Sequence, residues 1–439
     1  MTSPASLDAA LGRLYLRATH GIRPGTERIR RILDDLGRPE RAFASIHVAG
    51  TNGKGSVCAM VESILRAEGV RTGLYTSPHL VRFHERVRVN GEPVGDADLA
   101  ACIDAVEEAA ARVAADGAGE ATFFEIGTAV AFEHFRRAGV QAAVVETGLG
   151  GRWDATNVIV PLVSAICEVD LDHCEYLGRT VADVAAEKAG IIKPGRPVVC
   201  GATHPGAAAV IRAAADAAGA PVIDASSAVS VRRTPAGLDG QRLSISTAGR
   251  DLPPVRLPLL GRHQAANAAV AVAVVEAFGA AAGAEIGTEA FVRGLESVRW
   301  PARLQVLERD PPVLLDGAHN PHGARALAAA LGELRGGHPI GLVAGILADK
   351  DAAGFFRAMA PAVARCWTVP VRCERASPPA ALRDAARAAG IEAAAADSVG
   401  AAVGEAREWA RGAGGWICIA GSLYLAGEVL EGPGRNGQG

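Results

Sequence analysis

"HVAGTNGKGSV", residues 47–57, is the stretch of sequence that decides the fold. The apolar run before it predicts a β-strand, and the apolar positions of "VCAMVESILRAEG" after it have helical spacing. Its three glycines let the backbone approach phosphate oxygens, whose charge is favoured by the N–H groups at a helix start. The strict phosphate-loop pattern has a hydroxyl directly after the lysine, whereas here Gly55 stands between Lys54 and Ser56. The order of elements still predicts a phosphate-binding loop; the alternative is a glycine-rich turn with a solvent-facing lysine.

Short apolar runs alternate with alanine-rich helical segments along most of the chain. The runs "SIHVAG", "RTGLYTS", "VQAAVVE", "PLVSAICEVD" and "RPVVCG" are almost unbroken, which is typical of parallel strands covered on both faces. Strands of this kind that alternate with helices predict an α/β fold with a mostly parallel, doubly wound sheet that carries the phosphate-binding loop.

The alternation is interrupted once and then restarts. "PAGLDGQRLSISTAGRDLPPVRLPLLG" indicates a small antiparallel excursion, and the helical pattern stops at the proline of "GLESVRWPARLQVL". We therefore predict a phosphate-loop domain over residues 1–296 and a smaller Rossmann-like α/β domain over 303–432. The glycine-rich tail over 433–439 is expected to be disordered.

Composition limits the classes of function. The chain has 439 residues, of which 49% are hydrophobic and 21% charged, and its net charge of −3 gives no electrostatic reason to expect nucleic acid or a membrane as partner. We find no signal-peptide pattern and no uninterrupted apolar run of membrane-spanning length. The eight cysteines are scattered without a Cys-x-x-Cys pair, which indicates free thiols and a cytoplasmic protein without structural zinc or disulfides.

Polar residues follow three of the apolar strands. Glu146 ends "VQAAVVE", His173 lies in "VDLDHCEYLG", and Ser77 follows "LYT". Because the carboxyl ends of parallel strands line the crevice where ligands bind, and because Mg²⁺ accompanies nucleotide phosphates, these residues are candidate metal ligands. The alternatives are a structural acid at a strand end and a histidine that only packs within its loop.

A series of motifs resembles the folylpolyglutamate synthase family, a branch of the Mur ligase superfamily that includes the bacterial bifunctional dihydrofolate synthase/folylpolyglutamate synthases. The motifs are "AGTNGKGS", "YTSPHLVRFHERVRVNG", "TFFEIGTAVAF", "VVETGLGGRWDATN", "DLDHCEYLG", "EKAGIIKPG", "HQAANAA", "PARLQ", "LDGAHNP" and "GSLYLAGEV". They extend from about residue 20 to about residue 430, and the family's phosphate loop has the same extra glycine. The resemblance implies an ATP-dependent ligase that phosphorylates a pteroate or folate carboxylate and joins L-glutamate to the acyl phosphate.

The resemblance also implies which residues bind ATP and metal. The implied ATP-binding residues are Thr51, Asn52, Gly53, Lys54, Gly55, Ser56, Asn267, Arg303 and Asp316. The implied ligands of Mg²⁺ are Ser77, Glu146 and His173, with Ser56 close to the metal. ATP would lie between the two domains, and domain closure would complete the site.

Four residues have an implied catalytic role: Lys54, His173, Lys188 and His319. Lys188 resembles the lysine that becomes carbamylated by CO₂ in this superfamily, and the carbamate would hold a second Mg²⁺. Its alternative interpretation is an exposed helix lysine beside Glu187. His319 and Ser422 are expected near the incoming glutamate.

The implied pterin site determines the choice of acceptor. Its candidate residues are Arg23, Pro24, Gly25, Arg82, Thr122, Phe123, Phe124, Glu125, Trp153, Asp154 and Ala155. Trp153 departs from the family pattern, in which an aliphatic residue is usual. Phe123 and Phe124 could instead be core aromatics.

Three functional hypotheses follow. The first is a monomeric folate-type ligase that has both synthase activities, and a variant of it lacks dihydrofolate synthase activity. The second is another Mur-type amino-acid ligase, although no N-terminal domain for a UDP-sugar precedes the phosphate loop. The third is a non-catalytic nucleotide-binding module. The complete set of Lys54, Ser77, Glu146, His173 and Lys188 favours an active ligase.

Overall fold

The computed structural model describes residues 4–21, 23–235 and 237–432 and divides into two compact units. Unit 1 comprises the described residues up to Arg232, Ser244–Val255 and Ala266–Val298, and unit 2 comprises Arg233–Leu243, Arg256–Ala265 and the described residues from Arg299 onward. Two segments of the predicted first domain therefore belong to unit 2. The predicted disordered tail over 433–439 lies outside the described residues.

Unit 1 is built on an eight-stranded sheet. The strands are β1 (Ala44–Ala49), β2 (Thr72–Tyr75), β3 (Val87–Val89), β4 (Glu92–Pro93), β5 (Ala142–Glu146), β6 (Val163–Ile166), β7 (Val198–Cys200) and β8 (Val222–Asp224). Their order is β4-β3-β2-β5-β1-β6-β7-β8; β3 is antiparallel to both of its neighbours, β2 and β4, and the other pairs are parallel. The helices along this part of the chain are α1 (Pro4–Leu16), α2 (Glu27–Asp35), α3 (Lys54–Ala67), α4 (Asp96–Val113), α5 (Phe123–Arg137), α6 (Cys174–Leu177), α7 (Val181–Ala189), α8 (Pro205–Ala217) and α9 (Ala225–Ala228).

Helices cover both faces of this sheet. Residues of β2 and β5 share one core with α1, α2, α4 and α5, and residues of β6 and β7 share another with α7 and α8. Helix α3 packs on β1, β2 and β5 and is contacted by α11 (Thr288–Ser297), whose Gly294 lies so close to Ile64 that a Cβ would be 2.4 Å from its Cα. The predicted α/β class with a mostly parallel, doubly wound sheet is confirmed.

The chain crosses the division between the units in a three-stranded sheet of β9 (Val229–Pro235), β10 (Gln241–Thr247) and β11 (Val255–Leu257). Each strand begins in one unit and ends in the other, which explains the two segments that the sequence-based boundary did not anticipate. Helix α10 (Arg262–Ala282) follows. By length and composition alone it could cross a membrane, contrary to our expectation of no such run, but 67% of its most apolar window is buried inside the protein.

Unit 2 contains a six-stranded sheet. Its strands are β12 (Gln305–Arg309), β13 (Pro312–Leu315), β14 (Ile340–Ala344), β15 (Val363–Thr368), β16 (Glu392–Ala395) and β17 (Trp416–Ala420), in the order β12-β13-β17-β14-β15-β16 with only β12 antiparallel. Its further helices are α12 (Pro321–Leu334), α13 (Ala352–Met359), α14 (Pro379–Ala388), α15 (Val399–Ala413) and α16 (Leu423–Glu431). All eight cysteines of the chain are free, as the scattered spacing predicted.

Candidate active site

The phosphate-binding loop joins β1 to α3 and is held by the strand end beside it. Thr51 and Asn52 donate their backbone N–H groups to the carbonyl oxygen of Glu168, at 2.8 and 3.3 Å. Gly53 has a left-handed backbone (φ 87°), and a Cβ there would lie 2.6 Å from Oδ1 of Asn267. The two predicted nucleotide-binding residues Gly53 and Asn267 are therefore in direct contact, and only glycine fits this turn without strain.

Two lysines donate to one carbonyl oxygen of this loop. Nζ of Lys54 lies 3.0 Å from the Gly50 carbonyl oxygen, and Nζ of Lys188, from α7, lies 2.9 Å from the same atom. Lys188 is buried, which excludes the interpretation as an exposed helix lysine. Burial and, to a smaller extent, the charge of Lys54 lower the pKa of the Lys188 amine to about 7, so that a large neutral fraction is present near neutral pH.

The candidate metal ligands lie at or after the ends of three strands of the sheet, β2, β5 and β6. The backbone N–H of Ser77 donates to Oε2 of the buried Glu146 at 3.1 Å, which brings the ends of β2 and β5 together. His173 has φ 50° and begins α6, and its Nε2 is 3.8 Å from Oδ1 of Asp172. A left-handed backbone at a residue other than glycine costs energy and is typical of functional loops. Ser56 is buried at the start of α3.

The described part of the chain contains no group of three or more His, Cys, Asp or Glu side chains that could hold a metal ion. Magnesium differs from zinc in this respect, because one or two carboxylates together with water and phosphate oxygens can satisfy it. Glu146 with the nearby Ser77 fits that donor chemistry.

The "TFFE" segment forms the start of α5. Thr122 and Glu125 cap the helix reciprocally, since each side chain accepts the backbone N–H of the other. Oε2 of Glu125 also accepts from Nε of Arg28 at 3.2 Å, and the whole carboxylate is buried. In the structure Glu125 is thus engaged as a helix cap and not presented at a surface.

The two phenylalanines of this segment have different surroundings. Phe123 stacks on Tyr15 at a centroid distance of 5.6 Å and lies 5.1 Å from Cζ of Arg86. Phe124 packs so closely on the loop after β5 that a Cβ at Gly148 would lie 2.5 Å from its ring. The loop that contains Trp153, Asp154 and Ala155 is therefore adjacent to Phe124.

Asp154 is the centre of that loop. Its Oδ2 accepts from the backbone N–H groups of Gly148 and Leu149, both at 2.9 Å, and its Oδ1 accepts from the backbone N–H and the hydroxyl of Thr156. Burial raises the pKa of the Asp154 carboxyl, and the four donors act in the opposite direction. Ala155 is buried beside it.

Two predicted acceptor segments meet at Trp153. The indole is 56% exposed, and the carbonyl oxygen of Trp153 accepts from the backbone N–H of Gly25 at 3.4 Å, so the "RPG" segment adjoins the loop. Arg23 contacts the Glu120 carbonyl oxygen at 3.5 Å. Arg82 instead lies on the surface, where it pairs with Asp96 at 3.0 Å, and nothing in the described contacts joins it to the other acceptor residues.

Unit 2 contains the remaining candidates. Asp316 is buried, and its carboxylate accepts from the backbone N–H groups of Leu304 and Ala318, both at 2.8 Å. Burial raises the pKa of its carboxyl, and the neighbouring Arg303 lowers it. Nδ1 of His319 lies 2.8 Å from the Gly317 carbonyl oxygen, and Ser422 caps α16. Arg303, Asp316 and His319 therefore form one cluster, and Ser422 begins the helix after β17, the strand paired with β13.

Family models match both parts of the chain. Residues 48–275 match the Mur ligase middle domain, and residues 302–423 match the Mur ligase glutamate ligase domain. The chain belongs to the Mur ligase family.

Its relatives within the Mur ligase family are folate enzymes. The dihydrofolate synthase/folylpolyglutamate synthase of Bacillus subtilis is 38% identical over 338 residues, which cover 77% of this chain and 79% of the relative. The structure of Mycobacterium tuberculosis folylpolyglutamate synthase complexed with ADP has a TM-score of 0.92 at 35% identity and covers 99% of both chains. E. coli FolC in complex with DHPP and ADP has a TM-score of 0.86 at 31% identity and covers 97% of both chains. The chain is an ATP-dependent ligase of this family.

Sequence reasoning missed four residues that the structure joins to the candidate site of this Mur ligase: Arg28, His47, Arg86 and Thr156. Arg28 and Arg86 contact Glu125 and Phe123, respectively. His47 and Thr156 are hydrogen-bonded to each other beneath the loop after β5. The one available signal was His47, an ionisable residue inside a mostly apolar buried strand.

Proposed function

We propose that this chain joins L-glutamate to the carboxylate of dihydropteroate and of reduced folates, so that it has both dihydrofolate synthase and folylpolyglutamate synthase activity. ATP first phosphorylates the acceptor carboxylate, and the glutamate amine then attacks the acyl phosphate, with release of ADP and phosphate. The observation that carries the proposal is the contact between "TFFE" and the loop after β5, where Phe124 lies against Gly148. A flat heterocycle with donor nitrogens suits an aromatic surface beside polar backbone groups.

The roles of the individual residues belong to this proposal. Lys54, the backbone of Thr51, Asn52, Gly53 and Gly55, and Asn267 bind the phosphates and the nucleotide. Arg303 and Asp316 also bind the nucleotide, and His319 and Ser422 bind the incoming glutamate. The acceptor is bound by the "RPG" segment, by Phe123 and Phe124, and by the loop around Trp153. Oε1 of Glu125 is buried without a hydrogen-bond partner, which supports a direct role for this carboxylate. The contacts of Arg82 give a direct role no support.

Magnesium and a modified lysine complete the proposal. Glu146, Ser77, Ser56 and His173 would hold Mg²⁺, which neutralises charge on the transferred phosphoryl group. An ammonium cannot bind a cation, but a carbamate on Lys188 offers a carboxylate to a second ion. The neutral amine is the form that reacts with CO₂, and the buried position of Lys188 favours that form. An unmodified amine in crystals grown near neutral pH with bicarbonate would exclude the carbamate.

We propose further that the protein acts as a monomer in the cytoplasm. The free state of all eight cysteines is compatible with a reducing compartment.

The first experiment is release of ADP by the purified chain with ATP, Mg²⁺ and L-glutamate, with either dihydropteroate or tetrahydrofolate as acceptor. Release with both is expected. Release with tetrahydrofolate alone would identify a folylpolyglutamate synthase without dihydrofolate synthase activity. Trp153→Leu would then test whether the indole prevents dihydropteroate from serving as acceptor. Release with neither would favour another amino-acid ligase of the Mur family and would overturn the acceptor assignment.

A further inference from the structure

His47 is a polar residue in the centre of the sheet of unit 1. It lies on β1, three residues before Gly50, and has no exposed surface. Its Nδ1 has no hydrogen-bond partner. Burial lowers the pKa of the imidazole to about 3, so that the ring is neutral at physiological pH.

The contact of the other ring nitrogen fixes the tautomer. Nε2 of His47 lies 2.8 Å from the hydroxyl oxygen of Thr156. A threonine hydroxyl has one proton, and that of Thr156 is donated to Oδ1 of Asp154. Nε2 must therefore carry the imidazole proton and donate it to Thr156, which leaves a lone pair on the unpartnered Nδ1.

The chain of hydrogen bonds from His47 ends on the carboxylate of Asp154, which has a full set of donors. Asp154 accepts two hydrogen bonds on each oxygen, from Gly148 and Leu149 on one side and from Thr156 on the other. These bonds close the loop between Gly148 and Thr156 onto itself. A hydroxyl that accepts from His47 is a stronger donor to Asp154, because linked hydrogen bonds polarise one another.

Stability alone gives no reason for a histidine at this position. An unpaired polar atom in a core is unfavourable, and the strand "ASIHVA" would bury an apolar side chain without that penalty. Core positions are normally apolar, and a residue that departs from this pattern often serves a functional site.

We propose that His47 and Thr156 are positioning residues for the acceptor substrate, which act through Asp154 to hold the loop that contains Trp153 and lies against Phe124. The inference rests on the proposed function, since it assigns the pteroate end of the acceptor to this loop. His47 touches no reacting atom in this account; it links the strand of the phosphate-binding loop to the loop that receives the acceptor.

The test is a double-mutant cycle of His47→Leu and Thr156→Val, in which steady-state kinetics give KM for dihydropteroate and KM for ATP. We expect each single variant to raise KM for dihydropteroate about ten-fold, the effect of one hydrogen bond to a charged group, and to change KM for ATP by less than about two-fold. The double variant should resemble the single variants, because both interrupt one chain of bonds. His47→Gln, which keeps a donor near the position of Nε2, should recover most of the loss.

Thermal unfolding separates positioning from packing. We expect His47→Leu to have an unfolding midpoint equal to or above that of the wild type, since it removes the unpartnered Nδ1. The matched control is Ser164→Ala, because Ser164 is the buried β6 neighbour of His47 and donates to the Ile191 carbonyl oxygen without any link to Asp154. It should lower the midpoint and leave both KM values unchanged.

Three outcomes would overturn the inference. The first is that the effects of the two substitutions on KM for dihydropteroate add in the double variant, and the second is that KM for ATP rises in parallel in the His47 and Thr156 variants. The third is that Ser164→Ala raises KM for dihydropteroate without raising KM for ATP. If His47→Leu does not fold, Thr156→Val compared with Thr156→Ser decides the same question, because only serine keeps the hydroxyl. A wild-type chain without turnover on dihydropteroate or tetrahydrofolate would instead refute the proposed function, so the two failures are distinct.

Discussion

Replacement of Gly53 by alanine tests the geometry of the phosphate-binding loop. The backbone of Gly53 has φ 87°, and this left-handed conformation costs an L-residue about 1–2 kcal/mol. The new Cβ would also lie 2.6 Å from Oδ1 of Asn267, whereas an ordinary contact is 3.4–4 Å. Either the loop or the Asn267 side chain must therefore move, and both are candidates for nucleotide binding.

Gly69→Ala is the matched control for the backbone cost. Gly69 follows the other end of α3 with φ 92°, and a Cβ there would meet no atom within 4 Å. Both variants should lower the unfolding midpoint, by about 2–4 °C for each kcal/mol, and Gly53→Ala by at least as much as Gly69→Ala because of its additional overlap with Asn267. Only Gly53→Ala should raise KM for ATP, by about ten-fold or more, since about 1.4 kcal/mol of binding energy corresponds to that factor.

The assay is ADP release at saturating acceptor and glutamate over a range of ATP concentrations, with thermal unfolding measured on the same preparations. If KM for ATP in Gly53→Ala stays within about two-fold of the Gly69→Ala value, the contact with Asn267 has no part in nucleotide binding. That result would refute the assignment of this turn as the phosphate site.

Three further predictions concern other parts of the site. Lys54→Ala should abolish turnover because it removes the charge of the phosphate-binding loop, and near-normal ADP release would contradict the assignment. Gly148→Ala should raise KM for the acceptor without changing KM for ATP, since its Cβ would lie 2.5 Å from the Phe124 ring, whereas Gly332→Ala, with open space around it, should change neither. Lys188 should make the stability of the fold depend on pH. Its pKa is about 7 in the folded chain against an ordinary value of 10.5, so the unfolded state binds more protons between those values. The free energy of unfolding should then rise with pH across this window in the wild type without bicarbonate and rise less in Lys188→Met; equal slopes would exclude the lowered pKa.

The phosphate-binding loop was predictable because its information is local. A strand, small residues, a lysine and a helix follow one another within about twenty residues, and each follows from spacing and residue type. The proximity of Glu146 and Ser77 was predictable for a related reason, since parallel strands end at one edge of a sheet. The order of the strands in the sheet could not be predicted from the sequence and is known only from the structure.

The other assignments depended on side chains that are distant in sequence. Glu125 stays a candidate ligand for a heterocycle, but the sequence did not show that Arg28, almost a hundred residues earlier, and the cap with Thr122 occupy one of its two carboxylate oxygens. Arg82 was the arginine of its segment chosen as a candidate acceptor residue, whereas in the structure Arg82 pairs with Asp96 on the surface and Arg86 lies buried against Phe123. The sequence pattern alone does not show which of Arg82 and Arg86, four positions apart, is buried.

The loop after β5 lies next to the candidate residues for metal binding, for acceptor binding and for carbamylation. It begins at Glu146, the candidate metal ligand, and touches Phe124 of the acceptor segment through Gly148. At Gly151 a Cβ would lie 2.9 Å from the carbonyl oxygen of Lys188, so the loop also lies against the helix of the buried lysine. Because the same short segment adjoins the candidate metal ligand, the lysine and the candidate acceptor aromatic, we expect a change in its shape to alter the distance between phosphate and carboxylate. A ligase needs that distance fixed before phosphoryl transfer, since most of its rate acceleration comes from positioning. The hydrogen bonds from His47 to Thr156 and from Thr156 to Asp154 hold this loop, and on our proposal they affect the binding of the acceptor and leave the nucleotide in place.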